Sequence, residues 1–494
     1  MFVKVSSYLS LGLIAVLSLC YSLYGSDVAE LNVQLPGLSF PIFIGEILMF
    51  FCVLVFALQL MLEKPAERSL LIKSRWFVCA AVYMGWVIIK AGTGFLTGGA
   101  YALRNAALFY YPVFMILVAY FVTKIRTDVS NIPGVINLLL AFLFTYFATI
   151  RSVGIVIFLM FALFFSSRIA VRWLRWASIG TVAYVFYSQF RVLSCKRAVF
   201  LGLIVSAVFF FWYGGQALRL KVWRQLVGVM VIGGAFVLVL AERGDTNAFR
   251  SIIDWKPFFS RFHDEQLMVA ANAKTFVPDE IVPKVYHNNR NAVVVSRPHD
   301  SFLRNLVPAD VHKTEPVNTG TFDPVVPEGK DSSLARKNFR NIGSAYGNGT
   351  FRMFIWKDMF TEMYKEHPVL GFSFGKPQRS ISLEILNEGE LEWSRDGWIA
   401  PHNSFFHLIY RAGIVGIALI GLIFFAIGRL AADFLKARAW RGALLLCMLI
   451  YWIVTAQFGV VLELPYYAIP FWSVFGLSWA YRNHLFEAAP KREG

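Results

Sequence analysis

Charge is scarce in this chain of 494 residues: 16% of them are Asp, Glu, Lys or Arg, where a soluble domain carries about 25%. Acidic residues are the scarcer sign, 31 against 47 Lys and Arg, for a formal charge of +16. Cysteine is sparse and unpaired. Cys20, Cys52, Cys79 and Cys447 fall within apolar runs, and Cys195 stands alone near a helix end. With no CxxC and no paired loop cysteines, neither a zinc site nor a structural disulfide is indicated. A cleavable leader is not expected either. Lys4 and the apolar run to Tyr24 resemble a signal segment, but no small-x-small site follows, so the run is expected to stay as a span.

What is abundant is apolar surface, with 57% hydrophobic and 16% aromatic residues. Runs long enough for a spanning helix, about 17–25 residues, recur along nearly the whole chain. No soluble interior could hold so many. The expected fold is an all-α polytopic membrane protein of about twelve spans, at 8–24, 41–62, 76–92, 105–123, 132–150, 153–167, 177–190, 198–215, 226–241, 403–428, 442–459 and 466–481. This divides the chain into 1–241 with spans one to nine, a loop at 242–400, and 401–494 with three further spans and a tail.

The charge distribution orients these spans. The loop 242–400 holds 20 basic and 21 acidic residues, and the rest of the chain holds 27 and 10. Most of that surplus sits in connections after the even-numbered spans, for example Lys64, Arg68, Lys73 and Arg75, or Arg429, Lys436, Arg438 and Arg441. This positive-inside pattern excludes a nucleic-acid reading. It also places both termini in the cytoplasm and the large loop on the other side. A few cations then face outward: Lys90, Arg104, Arg151, Arg191, Lys196 and Arg197. Each is either a snorkelling anchor or part of an anion site.

Within the loop, 275–350 is rich in Pro, Asn, Asp, Gly and Val and reads as turns and short strands. An amphipathic helix is expected near 352–367, with Met353, Trp356, Met359, Phe360, Met363 and Tyr364 on one face. Such a helix lies on the membrane surface or packs over the bundle. Phe372, Phe374, Trp393 and Trp398 either pave a sugar-binding surface or form an interfacial aromatic belt.

Three stretches carry a resemblance. RMFIWKDMFTEMYKEHPVLGFSFG from Arg352, PHNSFFHLIYRAGIVGIALI from Pro401 and VLELPYYAIPFWSVFGL from Val461 together resemble the O-antigen ligase and polymerase family. Cys195-Lys196-Arg197-Ala198 is similar to a further segment, with Lys196 where the family usually has serine. The resemblance covers mainly 350–480. It implies a bacterial inner-membrane enzyme of GT-C-like architecture with a periplasmic loop. Such an enzyme transfers a glycan from undecaprenyl pyrophosphate to a glycan or lipid A-core acceptor.

That reaction needs cations for the leaving pyrophosphate and a base for the acceptor hydroxyl. Arginine suits the first, because its planar fork binds two phosphate oxygens and stays charged. The candidates are Arg352 first, then Arg197, Arg191 and Arg104, with Arg151 last. His402 at the mouth of span ten is the candidate base, and Asn403 and Ser404 read as a helix start. Trp356 follows Arg352 in its motif and joins the substrate-binding set. Glu463 either orients the base or an arginine, or is simply an acidic span end. His407, roughly 140° round the helix from His402, is given another role, and Gly413 and Gly416 read as close helix packing. The scheme needs no metal or cofactor; Asp-x-Asp and His-x3-His are missing, and Asp27 and Glu30 are a weak hint of metal-dependent transfer. The rival readings are a lipid-linked oligosaccharide flippase or other transporter, which would place its charges mid-span, and a sensor, for which no output domain is seen. Arg411 is the notable charge inside a span.

Overall fold

The computed structural model describes residues 2–24, 26–29, 31–33, 42–63, 75–99, 101–125, 197–214, 345–386 and 401–487, with six isolated positions between 173 and 267. The spans expected at 132–150, 153–167, 177–190 and 226–241, and the loop stretch 275–344, lie outside the described residues.

Helix dominates the described part. In order come α1 (Phe2–Tyr24), α2 (Ser26–Ala29), α3 (Ile44–Leu62), α4 (Arg75–Gly98), α5 (Tyr101–Tyr110), α6 (Val113–Ile125) and α7 (Arg197–Phe209). Then follow α8 (Ala345–Glu366), α9 (Ile381–Leu386), α10 (Ser404–Lys436), α11 (Trp440–Ala456) and α12 (Pro465–Glu487). A short antiparallel ladder, β1 (Asn32–Val33) with β2 (Ile42–Phe43), leads into α3 and was not expected of an all-helical chain. Among the described residues, four segments are long and apolar enough to cross a membrane: Ile44–Leu62, Val78–Thr97, Asn105–Ile125 and Ser404–Lys436. Phe2–Ser18 and Trp440–Ala456 are shorter apolar helices.

The fourth expected span divides at Tyr111–Pro112 into α5 and α6. Proline has no N–H to continue the ladder and disfavours helix in the residue before it. α6 buries Phe114, Leu117, Val118 and Phe121, one helical stripe, against α12 and α1. Backbone approach there is close: a Cβ on Gly476 of α12 would lie 2.3 Å from the Met115 carbonyl oxygen. α7 packs against α11, where a Cβ on Gly202 would meet Tyr451 and Thr455 at 3.0 and 3.2 Å. Small residues at such crossings are the usual means of packing helices in lipid, where no hydrophobic force draws them together.

α10 begins where expected but runs to Lys436, and it is not straight. Gly413 stands at φ 58, ψ −137, a left-handed conformation open to glycine at little steric cost. Before this kink Ser404, Phe405, His407, Leu408, Tyr410, Arg411 and Ala412 are all buried. After it, Ile414, Leu422 and Phe425 are each at least 60% exposed, as lipid-facing residues would be. At 1.5 Å per residue the part after the kink is roughly 34 Å long, enough alone for a hydrocarbon core of about 30 Å.

The amphipathic helix is present as α8, rotated from the expected face. Phe354, Ile355, Met359 and Met363 are buried with Phe372, Leu383 and Tyr410, while Phe360 and Tyr364 are exposed. The buried side also accommodates two carboxylates, which an apolar period rejects. Asp358 accepts from Ser380 Oγ (2.7 Å), Ser382 N (2.8 Å) and Ser382 Oγ (2.8 Å). Glu362 accepts from Tyr410 Oη at 2.9 Å and from Lys376 Nζ at 2.6 Å. Phe372 and Phe374 are interior residues, not a sugar platform: Phe374 stacks on Phe109, with centroids 4.9 Å apart, and Phe372 tilts against Tyr410. Trp393 and Trp398 lie outside the described residues.

Candidate active site

Three pieces of chain meet at the start of α10: α8, the Pro401–Ser404 turn, and the 458–464 connection between α11 and α12. Asn403 caps α10, its Oδ1 accepting from Phe405 N (2.9 Å) and Phe406 N (3.1 Å), which satisfies two otherwise unpaired donors. The buried Ser404 hydroxyl donates to Gly459 O at 3.2 Å and accepts from Leu462 N at 3.0 Å. It thereby fixes the connection that carries Glu463. From α8, Trp356 Nε1 donates to Pro401 O at 2.6 Å, and its ring stacks on Phe406 with 8° between planes. One turn earlier, Arg352 Nη1 donates to Phe458 O at 2.9 Å. α8 thus grips both sides of the turn.

His402 sits between these anchors at φ 50. A left-handed non-glycine residue costs on the order of 1 kcal/mol and persists only where its surroundings over-determine it. Here the preceding carbonyl is held by Trp356 and the following residue is the helix cap. The imidazole is half-buried. Burial lowers its pKa below 6.5, the nearby Arg352 cation lowers it further, and the Glu463 carboxylate pulls it back up. The ring is therefore neutral at pH 7, the form that accepts a proton. Burial also lowers the pKa of Arg352, though a guanidinium remains a cation. Its Nε–H is buried and meets no acceptor among the described residues, an arrangement that favours an anionic ligand.

Below this lies a second charged line. Glu463 Oε1 is 2.8 Å from His407 Nδ1, and Arg411 Nε donates to His407 Nε2 at 3.3 Å. The wholly buried Arg411 also donates through Nη1 to Ser373 O at 2.5 Å. The arginine N–H occupies the Nε2 lone pair of His407, while His407 Nδ1 and Glu463 Oε1, though close, are both buried without a hydrogen-bond partner among the described residues. His402, five residues earlier, is not capped in this way.

The structure thus brings together His402, Arg352, Trp356, Asn403 and Glu463. Arg104 lies in α5 and Arg197 opens α7, but their side chains are outside the described part, as are Arg151 and Arg191 entirely. Glu463 contacts a histidine, but that residue is His407. Gly413 and Gly416 do serve close packing, though not of another helix. A Cβ on Gly413 would lie 2.5 Å from Pro368 O, and one on Gly416 would lie 2.6 Å from Leu408 O of its own helix. Sequence reading passed over the His407–Arg411 pair, although an i, i+4 spacing puts both on one helix face. Lys90, expected to be an anchor or part of an anion site, instead bonds the carbonyls of Leu370 and Arg411 through its Nζ.

These features describe a helical membrane protein with a polar, cation-bearing cluster of side chains where a capped helix meets an amphipathic one. Residues 182–421 match the family model described as O-antigen ligase, which supports the resemblance to the O-antigen ligase and polymerase family. The match takes in Arg352, Trp356, His402 and Asn403 and stops short of Glu463. No curated protein and no solved structure matches the chain.

Proposed function

We propose that this protein transfers a glycan from undecaprenyl pyrophosphate to an acceptor hydroxyl at the periplasmic face of the inner membrane. The match to the O-antigen ligase family model over residues 182–421 supports a glycan ligase or polymerase in general. The observation that carries the specific reading is His402: neutral, uncapped, and held in the field of Arg352 and Glu463 at the mouth of α10. In the reaction the acceptor oxygen attacks the anomeric carbon as His402 takes its proton. The bond from that carbon to the pyrophosphate oxygen breaks, and undecaprenyl pyrophosphate departs with the bonding pair. Arg352 stabilises the charge that builds on the leaving group, in the manner of a guanidinium clamp. Arg104, Arg151, Arg191 and Arg197 are candidates to complete the clamp. Twelve spans, cytoplasmic termini and an outward loop belong to the same proposal and rest on the distribution of basic residues.

The test is transfer by purified protein supplied with lipid-linked donor and, separately, lipid A-core or a second lipid-linked glycan. Extension of either acceptor supports the proposal and identifies ligase or polymerase. Extension of neither, together with donor movement across vesicles, would replace it with a flippase.

A further inference from the structure

The turn after α8 is built as part of the membrane surface. Between Pro368 and Gly371, which supply the turn chemistry, its central residues Val369 and Leu370 are apolar and 60% and 55% exposed. The turn is stitched to α10 through main chain. Ile414 N donates to Pro368 O at 2.9 Å, Val415 N to Val369 O at 3.5 Å, and Phe372 N to Tyr410 O at 3.0 Å. Lys90, from the spanning segment Val78–Thr97, supplies the bonds for Leu370 O and Arg411 O. The carbonyls of 368, 369 and 370, and those freed near the kink, therefore all have partners. Satisfied carbonyls lower the cost of placing this non-helical backbone at the bilayer boundary.

The neighbours of the exposed side chains point the same way. Ile414, bonded to the turn, begins the lipid-facing part of α10, with Ile417 next on that surface. On α8, exposed Phe360 and Tyr364 lie beside exposed Lys357 and Lys365, the aromatic and basic mixture of helices at a lipid headgroup boundary. The exposed acid nearest the turn, Glu366, pairs with Lys376 at 3.5 Å.

We propose that Val369 and Leu370 form a wedge inserted into the acyl boundary of the bilayer, seated in the Gly413 kink, with Phe360 and Tyr364 at headgroup level. The occupant of this surface is membrane lipid. Only the assignment to the periplasmic leaflet rests on the functional proposal. The test is a nitroxide on Leu370→Cys in full-length protein freed of its native cysteines, reconstituted in phosphatidylethanolamine–phosphatidylglycerol vesicles. Power saturation with oxygen and with a water-soluble nickel chelate reads the depth. The expected result is preferential oxygen accessibility, nearer to that of a label on Phe425→Cys than to one on Lys365→Cys. Chelate accessibility like that at Lys365, or shielding from both reagents by another part of the chain, would overturn the wedge. Loss of glycan transfer with the label still in lipid would count against the enzyme reading alone.

Discussion

Replacing Gly371 by alanine isolates the seat between the turn and α10. Gly371 has φ 64, and an added Cβ would lie 2.5 Å from Ala412 N and Arg411 C and 2.6 Å from Gly413 N. All three atoms are backbone, so no side chain can swing aside. The left-handed backbone costs alanine about 1 kcal/mol, and overpacking adds about 1–3. If the turn moves off, the bonds from Phe372 N to Tyr410 O and from Ile414 N to Pro368 O are lost at about 1 kcal/mol each. Overpacking and bond loss are alternatives, so destabilisation of about 2–4 kcal/mol follows from these terms. The control lies on α10: a Cβ added at Gly421 would meet nothing within 4 Å, and alanine there should be neutral or up to about 1 kcal/mol stabilising through helix propensity. Denaturation of both variants in one detergent gives the comparison. Equal stability of Gly371→Ala and wild type would refute the reasoning about the seat.

His402→Ala should abolish transfer while protein abundance and donor binding stay unchanged; full activity would remove His402 as the base. Since the rate needs neutral His402, activity should fall as pH drops through its pKa, with an inflection below 6.5. Glu463 raises that pKa, so Glu463→Gln should move the inflection to still lower pH, and a shift upward would contradict the assigned proximity. Arg352→Lys keeps the charge but loses the fork, and a lost charged hydrogen bond of about 1.5–3 kcal/mol corresponds to roughly 10–100-fold in kcat/KM. An unimpaired lysine variant would take Arg352 out of the clamp.

Much of the helical outline was legible because apolar runs of spanning length leave the chain few other options. The positions of α3, α4, α11 and α12 follow from hydrophobicity alone. The division at Pro112 and the kink at Gly413 were in view as residue types, but their consequence depends on what lies alongside. At Gly413 this is a turn more than forty residues earlier. The orientation of α8 was misread because Asp358 and Glu362 look like solvent residues until Ser380, Ser382, Tyr410 and Lys376 are placed beside them. At the site, His402, Asn403, Arg352 and Trp356 could be found because they stand in compact motifs. The partnership of Glu463 with His407 could not, since 56 positions of sequence separate a connection from a helix face.

The seat at Gly413 reads only main chain. Three amide-to-carbonyl bonds and two lysine-to-carbonyl bonds hold the turn, and none involves the side chains of Val369 or Leu370. Any pair of residues able to follow that backbone path could occupy the two positions and leave the bonding intact. Two polar residues there would preserve the joint while altering only what faces outward. The position of the turn and the character of its surface are therefore separable properties of the chain, and each can be changed without disturbing the other.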